Sequence, residues 1–245
     1  MTDSLKTLLR SLWESKSERD QQRLVGASNI SNECTRCLAG DMALALPGVE
    51  VGSAPQSEYM MGAKIGTAIH EYLENEIKKY DWGVPETKVI LGEIEGYGVI
   101  KSTSDVYVPS LFAIVDHKTT TIKKLDIIRT LVQLKRLDEV PEFEPDTHTL
   151  ARKKVKRYLV QGNLYGLGAE NRGDKVETVA LNFIPRDSKK IDDQWVYQVD
   201  YDRGVAERAF DRAARIWKAL EGGEELSTFK SDPHCYTCSV LRKAE

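Results

Sequence analysis

An apolar run ends in three chemically active residues: AIVDHKTTT, over 113–121, carries Asp116, His117 and Lys118 in succession. Alternate side chains of a strand share a face, so Asp116 and Lys118 stand together and His117 turns the other way. Such a pair is either an ordinary ion pair or a metal-binding carboxylate beside a cation that meets a phosphate. Four more residues are candidates for the same chemistry. His70 lies in GTAIHEYLE and Asp105 in KSTSDVYV, and Gln161 and Tyr165 lie four apart in YLVQGNLYG. Taken singly they read as a structural helical histidine, a turn acid and a polar pair at a core edge. Glu74, one turn after His70, is a further acid that could act through a water. Cys34 and Cys37 near one end, and Cys235 and Cys238 near the other, form two Cys-x2-Cys pairs. In a reducing compartment that pattern favours metal over disulfide. On spacing alone, a four-cysteine zinc site and an iron–sulfur cluster are equally good.

The elements that position these residues are legible from periodicity. Leu5, Leu8, Leu9, Leu12 and Trp13 recur at helical spacing and predict an N-terminal amphipathic arm over 1–25, packed on its own domain or on a partner. A short helix is expected around the first cysteine pair, then a loop over 48–57. A long helix over 57–80 follows, with Met61, Ile65, Ile69, Tyr72, Leu73 and Ile77 as its apolar stripe. From 87 the period changes to two. Strands are expected near 88–95, 97–108 and 111–119, with VPSL as the last turn. A helix near 122–136, an acidic loop, a helix over 147–170 and two strands in VETVALNFIPR and QWVYQVDY come next. A closing helix has Asp202 as N-cap and Gly222 as its stop. The order gives an α/β fold, a mixed sheet flanked by helices, as one domain over 26–245.

Composition sets the outer limits. The chain has 245 residues, 41% apolar and 30% charged, which suits a globular protein with a full core. No apolar run approaches a membrane span, and the N-terminus lacks the pattern of a secretory signal, so a cytoplasmic protein is expected. Lys and Arg number 35 against 38 Asp and Glu. The net charge of −3 hides two basic stretches, 121–136 and 151–159, and an acidic one over 137–146. Local patches govern phosphate contacts more than the total does. In the second basic stretch Arg152 and Lys156, and Lys153 and Arg157, are like-charged i, i+4 pairs that repel by about 0.2–0.5 kcal/mol each. A nucleic-acid backbone would offset that cost; the bland alternative is a solvated helix face.

The order of these motifs resembles the RecB-type branch of the PD-(D/E)xK nucleases, over roughly residues 28 to 240. That branch has a helical G-x3-H, a strand acid, a D/E-x-K on the next strand and a helical Q-x3-Y. Here these stand as Gly66 to His70, Asp105, Asp116 to Lys118, and Gln161 to Tyr165. The chain looks closest to the iron–sulfur exonucleases related to the CRISPR-associated fourth core protein, many of them phage-encoded. Two departures stand out. Ser102 occupies the place of a frequent glycine three residues before the first acid. The cysteines are divided two and two, where those relatives have one and three.

The resemblance implies a restriction-endonuclease-like sheet and a metal-dependent exonuclease acting on double-stranded DNA ends. His70, Asp105, Asp116 and the backbone carbonyl of His117 would hold Mg²⁺ or Mn²⁺. Lys118 would orient the attacking water or offset developing charge, and Gln161 and Tyr165 would position the DNA. The four cysteines would carry a 4Fe–4S cluster, with Zn²⁺ as the alternative, tying the N-terminal region to the tail. Phage-type recombination with a single-strand annealing protein, in the host cytoplasm, is the expected setting, with a homo-oligomeric ring if the enzyme is processive. The competing readings are a prespacer-trimming nuclease of CRISPR adaptation and a non-catalytic DNA-binding recombination scaffold. A redox regulator reading its cysteines would leave the His70, Asp105, Asp116 and Lys118 set unexplained.

Overall fold

The computed structural model describes residues 24–48, 60–137, 146–235 and 238. The amphipathic stretch over 5–13 and nearly all of the 48–57 loop lie outside them. Five strands form one sheet in chain order: β1 (Val84–Ile94), β2 (Gly98–Val108), β3 (Ala113–Thr120), β4 (Thr178–Pro185) and β5 (Trp195–Asp200). Neighbours pair antiparallel except β3 and β4, which are parallel. A parallel pair needs a long crossover. It is supplied by α4 (Ile122–Gln133) and α5 (Asp146–Arg172), which follow the short α1 (Ala27–Ile30), α2 (Thr35–Ala43) and α3 (Met60–Tyr80) and precede α6 (Arg203–Glu221). This is the mixed, helix-flanked α/β sheet expected from the sequence. The expected VPSL turn is a 3-10 turn at Pro109–Leu111, followed by Phe112 in the left-handed region at φ 47.

Strand alternation sorts the two faces. Across the parallel rungs Ile114, Asp116 and Lys118 sit opposite Val179, Leu181 and Phe183. Tyr107 and Ile114 join one core with Leu164 and Tyr165 of α5, and Ile216, Trp217 and Leu220 of α6. Leu181 and Phe183 join a second with Leu125, Ile128 and Leu131 of α4. On the opposite face Val106, Val108 and Ala113 pack against Ile77 of α3. The predicted stripe of α3 is buried at one end and open at the other: Ile77 is 2% exposed, Met61 49% and Tyr72 63%. The helix meets the sheet along only part of its length, so helical spacing overstates what is covered.

α5 lies unusually close to the sheet because of its glycines. A Cβ on Gly162 would stand 2.3 Å from Cγ1 of Val179, and one on Gly168 2.7 Å from Cβ of Val89. Each glycine costs a helix interior about 1 kcal/mol relative to alanine; the close approach is what they permit. α6 is capped as its sequence predicts, Asp202 Oδ1 accepting the Val205 N–H at 3.2 Å and Gly222 at the C-cap. Among the described residues no helix is long and apolar enough to cross a membrane.

Candidate active site

β2 and β3 pair through only three residue couples, Val108 with Ala113, Tyr107 with Ile114, and Val106 with Val115. The next rung is replaced by a side chain. Asp105 Oδ2 accepts the His117 N–H at 2.7 Å, a donor that would otherwise be left without a strand partner. Its other oxygen, Oδ1, lies 3.3 Å from Nδ1 of His70 on α3. Burial resists ionisation of Asp105. The hydrogen bond from His70 and the charges of His70 and Lys118 outweigh it and hold the carboxyl below its usual range. His70 is raised in turn, chiefly by its hydrogen bond to Asp105, against its own burial.

Asp116 and Lys118 share a face, as alternation requires. Lys118 Nζ lies 2.6 Å from Asp116 Oδ2 and donates to Gln161 Oε1 at 3.2 Å. Gln161 Nε2 reaches the Tyr165 hydroxyl at 2.6 Å. The ammonium also sits 4.5 Å from the centroid of the Tyr158 ring, a cation–π contact. Asp116 is 1% exposed. Burial pushes its carboxyl up to about 7 against the pull of Lys118, and the charge of Asp105 adds to the rise. Burial also resists the charge on Lys118, but Asp116 outweighs it and the amine stays above its usual value.

His117 turns to the α3 face, as expected. Its Nδ1 lies 2.9 Å from Asn182 Nδ2, and its ring meets that of His70 edge-on at 5.9 Å. Burial pushes it down to about 4, so the imidazole is neutral at neutral pH. Its side chain is thus a wall of the site, and any part it has in ligation falls to its carbonyl.

The predicted residues His70, Asp105, His117, Asp116, Lys118, Gln161 and Tyr165 therefore form one connected set. A buried carboxylate raised to about 7 by desolvation, and a half-buried one beside it, are the oxygen donors that a hard divalent cation satisfies. The set is looser than a closed metal cage. Among the described residues only the four cysteines bring three or more His, Cys, Asp or Glu ligand atoms within 4.8 Å of one another. Gln161 and Tyr165 differ from expectation: Tyr165 is 5% exposed with its hydroxyl held by Gln161, so the pair braces Lys118 from behind. Glu74 is engaged elsewhere, in a 2.5 Å ion pair with Lys78.

Sequence reasoning missed Asn182 and Tyr158. A lone amide in the apolar run VALNFIP was the available signal for the first; nothing marks Tyr158 without the fold. The basic stretch 151–157 does not act as one surface. Lys153 grips Asp232 at 2.6 Å and Arg157 donates to the Ser28 carbonyl at 2.7 Å, while Arg152 is 4% exposed. The helix turns Arg157 and Lys153 towards the protein's own N- and C-terminal segments.

The cysteine pairs meet at that junction. Sγ separations are 3.2 Å for Cys37 to Cys235 and 3.5 Å for Cys34 and Cys37 to Cys238. Backbone carbonyls around the knot are held by arginines: Arg36 reaches those of Ser227 and Phe229, and Arg212 those of Ile30, Asn32 and Glu33. The Asp232 N–H points at Cys34 Sγ, 3.4 Å away, the outer-shell contact that steadies a thiolate ligand. Four thiolates around one tetrahedral ion at about 2.3 Å stand about 3.8 Å apart. The cage has that size. The N- and C-terminal regions are thereby joined through a site able to hold metal.

No protein-family model and no curated protein matches the chain. Among solved structures it is similar to a phage-related exonuclease from Haemophilus somnus 129PT, with 12% identity over 82% of this chain and 96% of that one, TM-score 0.46. It is also similar to the alkaline exonuclease LHK-Exo from Laribacter hongkongensis, with 12% identity over 91% and 95%, TM-score 0.45. A protein from Eubacterium rectale shares 13% identity over 91% and 90%, TM-score 0.49. At these values the likeness is a loose one of architecture, and the chemistry is argued from the residues themselves.

Proposed function

We propose that the chain is a divalent-metal-dependent deoxyribonuclease that hydrolyses phosphodiester bonds at DNA ends. The observation that supports it is the placing of Asp105 and Asp116 each just beyond the last rung where β2 parts from β3, with Lys118 locked between Asp116 and Gln161. Asp105 and Asp116 would hold Mg²⁺ or Mn²⁺, with His70 and the His117 carbonyl beside them. Bound there, the ion supplies a water of lowered pKa and offsets charge on the phosphate. The protein's own groups do the rest. The Asp105 carboxylate orients His70 and fixes the end of β3. Lys118, braced by Gln161 and Tyr165, presents a fixed positive charge where negative charge grows in the transition state. His117, neutral and turned away, closes the far side of the site.

The same proposal extends to the cysteine cage. A 4Fe–4S cluster has four irons and four sulfides between its thiolates and must hold them further apart than one ion does. The 3.2–3.5 Å contacts favour a single Zn²⁺, the alternative left open by the spacing. Metal analysis of anaerobically purified protein decides this: about one zinc per chain is expected, and an iron–sulfur chromophore with matching iron and sulfide would refute it.

The activity is tested by digesting linear and covalently closed circular double-stranded DNA with Mg²⁺ or Mn²⁺, against an EDTA control. Loss of the linear form alone is expected, abolished by EDTA and by Asp105→Asn or Lys118→Ala. Survival of both DNAs in folded, metal-replete protein would withdraw the catalytic assignment in favour of a DNA-binding scaffold. End-labelling gives the polarity. Work in recombination with an annealing partner, or in prespacer trimming, follows only from that polarity and from the ends produced.

A further inference from the structure

The carboxylates and Lys118 account for one phosphate. A second group of cations beside them has no assigned use. Lys154 lies one turn before Tyr158 on α5, and its Nζ stands 5.7 Å from the centroid of the same ring that Lys118 approaches at 4.5 Å. Arg186 follows directly on β4, its backbone N–H bonded to the Thr120 carbonyl at the end of β3. The Arg186 side chain lies against the first turn of α3, where a Cβ on Gly62 would be 3.4 Å from Nη1. One turn further along α3, a Cβ on Gly66 would meet Thr119 Oγ1 at 3.2 Å. Two small residues thus bring α3 against the carboxyl ends of the parallel strands, and Arg186 lies in that seam.

Both side chains are open to solvent. Among the described residues no carboxylate pairs with either; around Lys154 the charges are Lys118, Arg186 and Arg157, all positive. Crowding and these like charges together push the Lys154 amine below its usual value. Arg157 is held by the Ser28 carbonyl and Lys153 by Asp232, so these two cations are engaged elsewhere, while Lys154 stands on the site's side by the Tyr158 ring. Repelling cations at the edge of the site, one of them by an aromatic ring, make an arrangement that an anion would stabilise.

We propose that Lys154 and Arg186, with the Tyr158 ring beneath, form a second phosphate subsite. It takes the backbone phosphate of the DNA strand next to the one held at Asp105, Asp116 and Lys118. The inference rests on the nuclease reading above. The subsite holds the strand in register so that the neighbouring linkage meets the metal-binding carboxylates.

The test is binding of a short fluorescein-labelled DNA duplex to full-length, metal-replete protein over a range of salt, with cleavage assayed in parallel. Lys154→Met, Arg186→Gln and the double variant are compared with Lys218→Gln, an exposed cation on α6. The double variant should lower the slope of log affinity against log salt by about 1, and each single variant by no more than that. KM should rise more than kcat falls. Thermal melting should show the Lys154→Met protein at least as stable as the wild type, because removing it relieves repulsion. A methylphosphonate scanned along the strand should weaken wild-type binding at one position and leave the double variant unaffected there. Unchanged salt slopes and an unchanged methylphosphonate profile in an active nuclease would overturn the subsite and leave the nuclease reading standing. Absence of both binding and cleavage in the wild type would overturn both.

Discussion

Three helix glycines make a graded test of how α5 sits on the sheet. Replacing a helical glycine by alanine stabilises by about 1 kcal/mol when nothing stands in the way. Gly40 in α2 has no atom within 4 Å of an added Cβ, so Gly40→Ala should gain about that amount. Gly162→Ala meets Val179 Cγ1 at 2.3 Å. Carbon contacts lie at about 3.5–4.0 Å, so roughly 1 Å must open. Val179 is β-branched and fully buried, with little freedom to turn its methyl aside. Overpacking of this kind costs about 1–3 kcal/mol, leaving a net loss of up to about 2. Gly168→Ala should lose more. It meets Val89 at Cβ, 2.7 Å away, and at Cγ2, 2.8 Å, and a Cβ moves only with its backbone. Urea unfolding followed by tryptophan fluorescence gives the order, read from midpoints at constant slope. Gly162→Ala should also reduce cleavage by about ten- to a hundredfold, because the neighbouring Gln161 holds Lys118 and a 1 Å displacement is felt at the reacting groups. Equal midpoints for Gly40→Ala and Gly168→Ala would refute the close approach of α5 to β1.

Removing Lys118 alone takes away the charge that offsets ionisation of the buried Asp116, so Lys118→Met should destabilise by about 3 kcal/mol at alkaline pH, where the carboxyl must ionise, and Asp116→Asn with Lys118→Met should recover most of it. A double-mutant cycle in urea checks this, and additive losses would contradict it. Cys238→Ser, or a strong chelator, should lower Tm by roughly 10–20 °C, since a link closing more than a hundred residues is worth about 5 kcal/mol in chain entropy and a domain of this size shifts 2–4 °C per kcal/mol. Asp41 is raised above the usual carboxylate range by burial, against its hydrogen bond from Asn29 and the charge of Arg157. A raised carboxyl contributes stability below its unfolded pKa and loses it as pH rises through the folded one. The Asp41→Asn protein should therefore gain on the wild type between acid and neutral pH, as read from melts across that range.

Much of the site could be read from the sequence, because its information is local. Alternation alone placed Asp116 with Lys118 and set His117 apart, and helical spacing placed Gln161 beside Tyr165. What failed needed knowledge of what each face meets. Tyr165 faces the sheet core, and no spacing rule says which side of a long helix is inside. The basic stretch of α5 looked like one surface; the fold divides it between Asp232, the Ser28 carbonyl and the site. Arg186 follows an apolar strand with no motif around it, and only the parallel pairing of β3 with β4 brings it to the Thr120 end of β3. Met61 and Tyr72 carry a helical period that the sheet does not cover, because periodicity shows a capacity for burial and not its extent.

The three rungs between β2 and β3 have a mechanical consequence. On one side β1 and β2 form a long two-stranded ribbon; on the other, β3, β4 and β5 form a second. Val106 with Val115, Tyr107 with Ile114 and Val108 with Ala113 are all that join them by strand pairing, and α5 packs across both. Asp105 rides on one ribbon and Asp116 on the other, each just beyond the last rung. The gap between the two carboxylates is thus set by how the two ribbons meet. A cation held by both would tie one ribbon to the other. The Asp105 contact to the His117 N–H is one further tie across that seam.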